Sequence, residues 1–202
     1  MKRREFLAAR LESDYNVVNV PDPAGDGADP TTSDAICCYD PSWNFSDVRR
    51  VERDPNKPSY GRLPPLEAGE LVEVTVQCDL KGGGVAGARP EFHVLMLIAG
   101  HSFTEGASVE YTPDEDSESS ATIDFYESDG DIIRLSGCRV SDWSIQADVG
   151  DKPMIVFTIK GHFVDEITGG TYPDVLYLSL KPPAVLGVSC TIGSFTPGFS
   201  SF

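Results

Sequence analysis

The sequence has few positive charges and no long apolar run. Its 202 residues include 16 Lys and Arg against 32 Asp and Glu, and residues 63–202 hold seven bases and 21 acids. A surface this acidic repels the phosphate backbone, which argues against a protein that grips nucleic acid by neutralising it. No stretch approaches the ~18–20 apolar residues of a membrane-spanning helix. The length fits one sizeable domain with elaborations, or two small domains.

Cysteine is scarce and lacks the spacing of a metal-binding knuckle. The odd number also argues against a disulfide framework, as do the positions: Cys37, Cys38, Cys78, Cys138 and Cys190. This usage is typical of folding in a reducing cytoplasm, with the thiols serving as small buried apolar groups. If their stretch is a strand, adjacent Cys37 and Cys38 point to opposite faces.

No signal peptide is predicted from the N-terminal pattern. The basic start, Lys2 to Arg4, superficially resembles an export signal, but Arg10, Glu12 and Asp14 stand where an uninterrupted apolar segment is required. The short apolar pattern around Leu7 fits either a helix or a strand.

Catalytic motifs are absent from the sequence. No Gly-x-Ser-x-Gly, His-Glu-x-x-His or Walker sequence occurs, and the histidines lack metal-ligand spacing: His93, His101 and His162. The acidic clusters at 114–116 and 129–131 do not fit an EF-hand calcium loop, which leaves a weak surface cation site as the alternative. We therefore expect no enzyme, no cofactor and no resident metal.

One glycine motif matches the dinucleotide fingerprint. Gly82, Gly84 and Gly87 follow a strand with the G-x-G-x-x-G spacing, but the fingerprint needs a βαβ unit in a doubly wound fold. Antiparallel strands are predicted after it instead. We interpret these glycines as letting the chain pass closely over a sheet.

What the sequence does contain is the pattern of a mainly β protein. Glu70 to Leu80 alternates apolar and polar residues most clearly, and one helix is predicted from Pro90 to Gly100. Strands are also predicted at Ala35–Tyr39, Phe45–Arg53, Ser108–Thr112, Ala121–Tyr126, Ile132–Val140, Trp143–Val149, Met154–Val164, Val175–Leu180 and Val188–Ile192. Connections between Ser119 and Val164 are too short for crossover helices, so these four strands predict an antiparallel meander.

Three segments flank or interrupt the single predicted domain: an N-terminal segment 1–34, a proline-rich arm 54–69 and a C-terminal tail 193–202. The arm contains four prolines and two glycines and is predicted to be a long loop. Loops of more than about 12–15 residues are usually functional or used in contacts. The arm is therefore a candidate contact segment.

The order of several motifs resembles that of tail tube (major tail) proteins of long-tailed bacteriophages. No one motif is specific, but their order and spacing extend over most of the chain. They are Leu7–Glu12, Val51–Asp54, Pro58–Gly61, Val72–Gly87, Pro90–Gly100, Ser108–Pro113, Ala121–Ile123, Asp129–Gly130, Leu135–Arg139 and Pro153–Gly161. The acidic loop Pro113–Ser120 and the adjacent cysteines depart from the family pattern.

The resemblance implies an antiparallel two-sheet β-sandwich or barrel with one flanking α-helix. Six copies would form a ring whose inner sheets join into a continuous barrel, and rings would stack into the hollow tail of a virion. Implied partners are further copies of the chain and the tail tip or baseplate, tape measure and tail terminator proteins. DNA would pass through the lumen without specific binding, and assembly would take place in the bacterial cytoplasm.

Two sets of residues become candidates under this resemblance. Carboxylates that line the lumen would repel DNA and let it slide: Glu73, Asp79, Asp124, Glu127, Asp129 and Asp131. Arm residues would contact a neighbouring subunit or ring: Arg53, Lys57, Tyr60, Arg62, Leu63 and Leu66. The alternatives are a related tail-completion or baseplate ring protein, a secretion-system tube protein, or a monomeric ligand-binding β-sandwich module.

Overall fold

The computed structural model describes residues 6–24, 33–51, 66–127, 130–170, 173–175, 177–178 and 180–186, with backbone only for 45–51 and 66–70. These parts form a mainly β, antiparallel protein with one short helix. The elements are β1 (Phe6–Leu11), β2 (Ala35–Ile36), β3 (Cys38–Val51), β4 (Leu66–Asp79), α1 (His93–Leu97), β5 (His101–Glu105), β6 (Val109–Pro113), β7 (Ala121–Tyr126), β8 (Ile132–Gln146) and β9 (Met154–Ile167).

Seven strands form one sheet in the order β2-β1-β7-β8-β9-β4-β3, and β5 and β6 form a separate hairpin. The two long strands β8 and β9 join its halves. β7 pairs only with Ile132–Cys138 of β8, whereas β4 pairs only with Met154–His162 of β9. One half therefore consists of β2, β1, β7 and the start of β8, and the other consists of the end of β8 with β9, β4 and β3.

The sheet curls around a single main core. The rings of Trp43 on β3 and Phe125 on β7 touch edge to face with centroids 4.0 Å apart, although three strands separate β3 from β7 in the sheet order. Leu7 of β1 and Val74 of β4 are fully buried in this same cluster. Each such aliphatic side chain contributes ~1.5–3 kcal/mol through its burial. Helix α1 covers one end, where Leu95 enters the core.

The predicted meander is present, but it has three strands instead of four. Ile132–Val140 and Trp143–Val149 were predicted separately, whereas the structure joins them in β8, which ends at Gln146. The register shifts between Ser136 and Arg139 and again beyond Val140. Each bulge adds a residue and resets the alternation of faces, so a continuous strand produces the sequence pattern of two strands.

The predicted helix is present but shorter than expected. Its flanks form tight turns instead, in which the N–H groups of His93 and Gly100 bond to carbonyls three residues earlier, at Pro90 and Leu97. Gly100 has a φ of +80°, which ends the helix. At the amino terminus the open alternative is settled as a strand, β1.

Strand boundaries around the arm also differ from the prediction. β3 runs continuously through Pro41, which an edge strand tolerates, and a register shift follows Tyr39. β4 begins at Leu66, directly opposite Val51, so residues 66–69 of the predicted loop belong to a strand. Residues 52–65 connect these two paired strands and lie outside the described residues.

Four smaller differences from the prediction concern strands. β5 was missed, and its partner β6 begins one residue later than predicted. β9 extends to Ile167, into a stretch predicted as a loop. Described residues of the predicted strand Val175–Leu180 form no strand, and Val188–Ile192 lies outside the described chain.

Candidate functional site

Four strands in the second half of the sheet have one apolar and one polar face. Val72, Val74 and Val76 of β4 point into the core with no exposed surface. Because side chains alternate along a strand, their neighbours point the other way. Strand register places the following side chains on this second surface, here called the polar face: Tyr39, Ser42, Asn44, Leu71, Glu73, Thr75, Gln77, Asp79, Arg139, Asp142, Ser144, Gln146, Met154, Val156, Thr158, Lys160 and His162.

Two carboxylates of the polar face, Glu73 and Asp79, take part in ion pairs. Glu73 and Lys160 lie directly opposite each other, with carboxylate and ammonium 3.2 Å apart. At the end of β4, the Asp79 carboxylate accepts hydrogen bonds from Lys152 at 2.8 Å and from the Tyr39 hydroxyl at 2.9 Å. The Lys152 ammonium also lies 3.4 Å from the centroid of the Tyr39 ring. These contacts tie the start of β3 to the end of β4.

The four strands end in two edges. No described strand pairs with Arg139–Gln146 of β8 on the side away from β9, and β3 is the last strand of the sheet order. On the β8 side the N–H of Val140 donates to the carbonyl of Ile98, beyond α1, at 3.2 Å. A strand edge of this kind is a template for pairing with another chain.

Two of the six predicted lumen carboxylates lie on the polar face. Glu73 is half-buried at its centre, and Asp79 is buried at its margin in the contacts with Lys152 and Tyr39. Both carboxylates therefore have a cationic partner. The structure brings them together on one strand face but does not present them as isolated negative charges.

The other predicted carboxylates lie elsewhere. Asp124 in β7 has no exposed surface and binds the Arg134 guanidinium through two bonds of 2.8 and 2.7 Å. The hydrogen bond with Asp124 raises the pKa of Arg134. Glu127 and Asp131 flank the β7–β8 turn, where the Asp131 carboxylate accepts the N–H of Gly169 at 2.8 Å. Asp129 lies outside the described residues.

Of the predicted arm residues, only one is described. Leu66 is the first residue of β4 and pairs with Val51. The remaining five lie outside the described residues: Arg53, Lys57, Tyr60, Arg62 and Leu63. The contact role of the arm stays a prediction.

The glycine motif forms one wall of a groove of about 580 Å³ beside the sheet. Gly84 has a φ of +97°, and a Cβ there would stand 2.9 Å from the Leu180 side chain. The C-terminal segment therefore passes closely over this turn. The helix that follows has only five residues, so the dinucleotide interpretation finds no support in the local fold.

A buried ion pair beside the groove holds the C-terminal segment. Lys81 and Glu91 are 3.1 Å apart. The Lys81 ammonium donates to the backbone carbonyl of Leu178 at 3.1 Å. The Glu91 carboxylate accepts a hydrogen bond from the backbone N–H of the same Leu178 at 2.8 Å. The two side chains thus supply both backbone hydrogen bonds of Leu178, as a neighbouring strand would.

The histidines occupy separate environments. Burial lowers the pKa of His93 to about 4, and its Nδ1 lies 2.8 Å from the hydroxyl of Tyr111. His101 is buried near α1, and His162 lies on the polar face. Within the described residues, no three His, Cys, Asp or Glu side chains are placed to hold a metal ion. No helix of that part of the chain is long and apolar enough to cross a membrane.

Sequence reasoning missed the two strand edges and the bases on the polar face. Lys160 could have been found, because it continues the alternation of Val156 and Thr158 along β9. Arg139 could not, because a bulge next to it breaks the alternation. Comparison with models of known protein families gave no match, and neither did comparison with curated protein sequences.

Proposed function

We propose that this chain is the structural subunit of a bacteriophage tail tube. Six copies join side by side into a ring, and rings stack into the hollow tube through which DNA leaves the virion. The two halves of the curled sheet serve as the two layers of a sandwich, and the polar face lines the lumen.

The observation that carries the proposal is the four-stranded unit with an edge on each side. Its strands alternate in direction, because β8–β9, β9–β4 and β4–β3 are all antiparallel pairs. β8 and β3 therefore run in opposite directions. Placed side by side after a rotation about a common axis, the β3 edge of one copy meets the β8 edge of the next as another antiparallel pair.

Closure of such a ring removes both edges from every copy. When copies are joined head to tail and the rotation between neighbours adds up to a full turn, they form a closed ring. A closed barrel has no exposed strand edge through which copies could aggregate. With six copies and strands spaced ~4.8 Å, the barrel backbone would have a diameter of at least roughly 37 Å. Side chains narrow this opening but leave an open channel.

The composition of the polar face suits a wall over which DNA slides. Hydroxyl and amide side chains are its most frequent kind, including Ser42, Thr75, Ser144 and Thr158, and the Glu73–Lys160 pair cancels its own charge. The wall has few unpaired bases that would grip phosphates. In this proposal the wall lets DNA slide because it is largely uncharged, and not because unpaired carboxylates repel the phosphates.

Negative-stain electron microscopy of the full-length protein tests the proposal. Rings or tubes with a stain-filled central channel are the expected particles. A concentrated preparation that contains only small monomeric particles, and remains so with the tail-tip proteins that would initiate assembly, contradicts it. A ring that never stacks would favour the tail-completion alternative.

A further inference from the structure

Two thiols lie opposite each other on neighbouring strands. Cys38 at the start of β3 pairs in register with Cys78 near the end of β4. Cys78 is 2% exposed in the main core, and half-buried Cys38 packs against the same cluster. Their side chains therefore share one face of the sheet.

The spacing of such partners suits a disulfide. Directly opposed residues of an antiparallel pair have Cα atoms ~4.5 or ~5.5 Å apart, and disulfides span ~4.4–6.8 Å between Cα atoms. Adjacent Cys37 precedes the strand and has no partner position in the β3–β4 register. Cys138 lies in the core against Gly161, where a Cβ on the glycine would be 2.5 Å from its sulfur. Only one pair of described thiols is thus opposed in register.

We propose that Cys38 and Cys78 form a reversible disulfide that fastens the edge strand β3 to β4 when the protein meets a disulfide oxidant. The Cys38 thiolate attacks a small-molecule disulfide such as oxidised glutathione and releases one thiol. The Cys78 thiolate then attacks the Cys38 sulfur and releases the second thiol. Two electrons pass to the oxidant, and the two cysteine protons end on the released thiols or in solvent.

The location gives the cross-link a physical consequence. It forms within one copy, so it needs no ring, and it ties down a strand that has one neighbour among the described strands. Burial raises the pKa of the Cys78 thiol, so the second step is slow at neutral pH and accelerates as the pH rises. A chain made in a reducing compartment would acquire the bond after leaving it.

The test treats the full chain with oxidised glutathione at alkaline pH and then alkylates the remaining thiols. Of five cysteines, three should be alkylated, and mapping without reductant should join the peptides that contain Cys38 and Cys78. Tm should rise by roughly 5–10 °C and return to its starting value after reduction.

Two variants make the assignment specific. Cys37→Ser should still form the bond, whereas Cys38→Ser should not. Both positions are half-buried, so both variants are expected to fold, which the thermal transition before oxidation will check. Five alkylated cysteines in the oxidised wild type, a persistent glutathione adduct, or a link that survives Cys38→Ser would each overturn the assignment.

Discussion

Glu73 and Lys160 stand directly opposite each other on β4 and β9, with their charged groups 3.2 Å apart at the centre of the polar face. Their side chains are 42% and 53% exposed, so the pair contributes only ~0–1 kcal/mol to folding. The pair matters more for the electrostatic potential of the polar face, because each of its charges offsets the other. Either residue can be replaced with little effect on the fold, which makes the pair a suitable place to alter the charge of the proposed lumen.

Glu73→Lys should leave folding and ring formation unchanged but make assembled particles retain DNA. The substitution leaves two cations facing each other on the polar face, and repeated around a ring these attract phosphates. Co-sedimentation of duplex DNA with assembled particles at low salt measures the retention. Glu110→Lys makes the same charge change on the β5–β6 hairpin, off the polar face, and should retain less DNA. Equal retention by the two variants would count against a polar face that lines the channel.

Lys81→Met should destabilise the protein by about 3–5 kcal/mol. The ammonium is buried with Glu91, and its loss leaves an uncompensated buried carboxylate. Chemical denaturation monitored by fluorescence gives the free energy of unfolding. Lys160→Met removes the same group from an exposed pair and should change it by less than about 1 kcal/mol. Similar losses in both variants would mean that burial of the Lys81–Glu91 pair does not matter.

Stability should fall between pH 6.5 and pH 4 because of His93. Its pKa is about 4 when folded, lowered first by burial and then by the charge of Arg89, against an ordinary 6.5 in the unfolded chain. Over this interval the unfolded state binds more protons, so acidification favours it, by about 1–3 kcal/mol. Above pH 6.5 both states hold neutral imidazole and this contribution is constant. Denaturation curves of His93→Gln should lack this part of the pH dependence, and an unchanged pH profile in the variant would refute the assignment.

Gly161→Ala should destabilise the core by about 1–3 kcal/mol. The added methyl would lie 2.5 Å from the Cys138 sulfur and 3.3 Å from the Ser136 carbonyl oxygen. Cys138→Ala removes the first obstacle, so the double variant should lose less than the sum of the two single changes. Gly82→Ala meets no atom within 4 Å and should be nearly neutral. Additive losses at 161 and 138 would place the strain elsewhere.

Local alternation was enough to predict the antiparallel, mainly β character and most strands. Val72, Val74 and Val76 show why, since each was expected on one face and each is buried. The prediction was wrong where long-range structure overrides the pattern. The bulges of β8 mimic a strand break, and Pro41 lies in β3 because an edge strand does not need its N–H.

The candidate site was predictable only in part. Glu73 follows from the alternation of β4, but the burial of Asp124 depends on Arg134, ten residues away on the next strand. The Lys81–Glu91 pair gains its role from Leu178, which is distant in the sequence. The two edges are properties of the sheet order, and no local pattern specifies where β7 stops pairing with β8.

The pairing of the β8 edge with the β3 edge of the next copy is the central claim, and hydrogen exchange of backbone amides tests it most directly. Assembled particles are compared with subunits dissociated from them. Amides of Ser141–Gln146 and of Tyr39–Ser42 that point away from the sheet should exchange at least about tenfold more slowly after assembly, because they gain a carbonyl partner. Amides of the inner strand β9 from Met154 to Gly161 should be protected in both states. Assembled particles in which both edges exchange as fast as in free subunits would contradict the account.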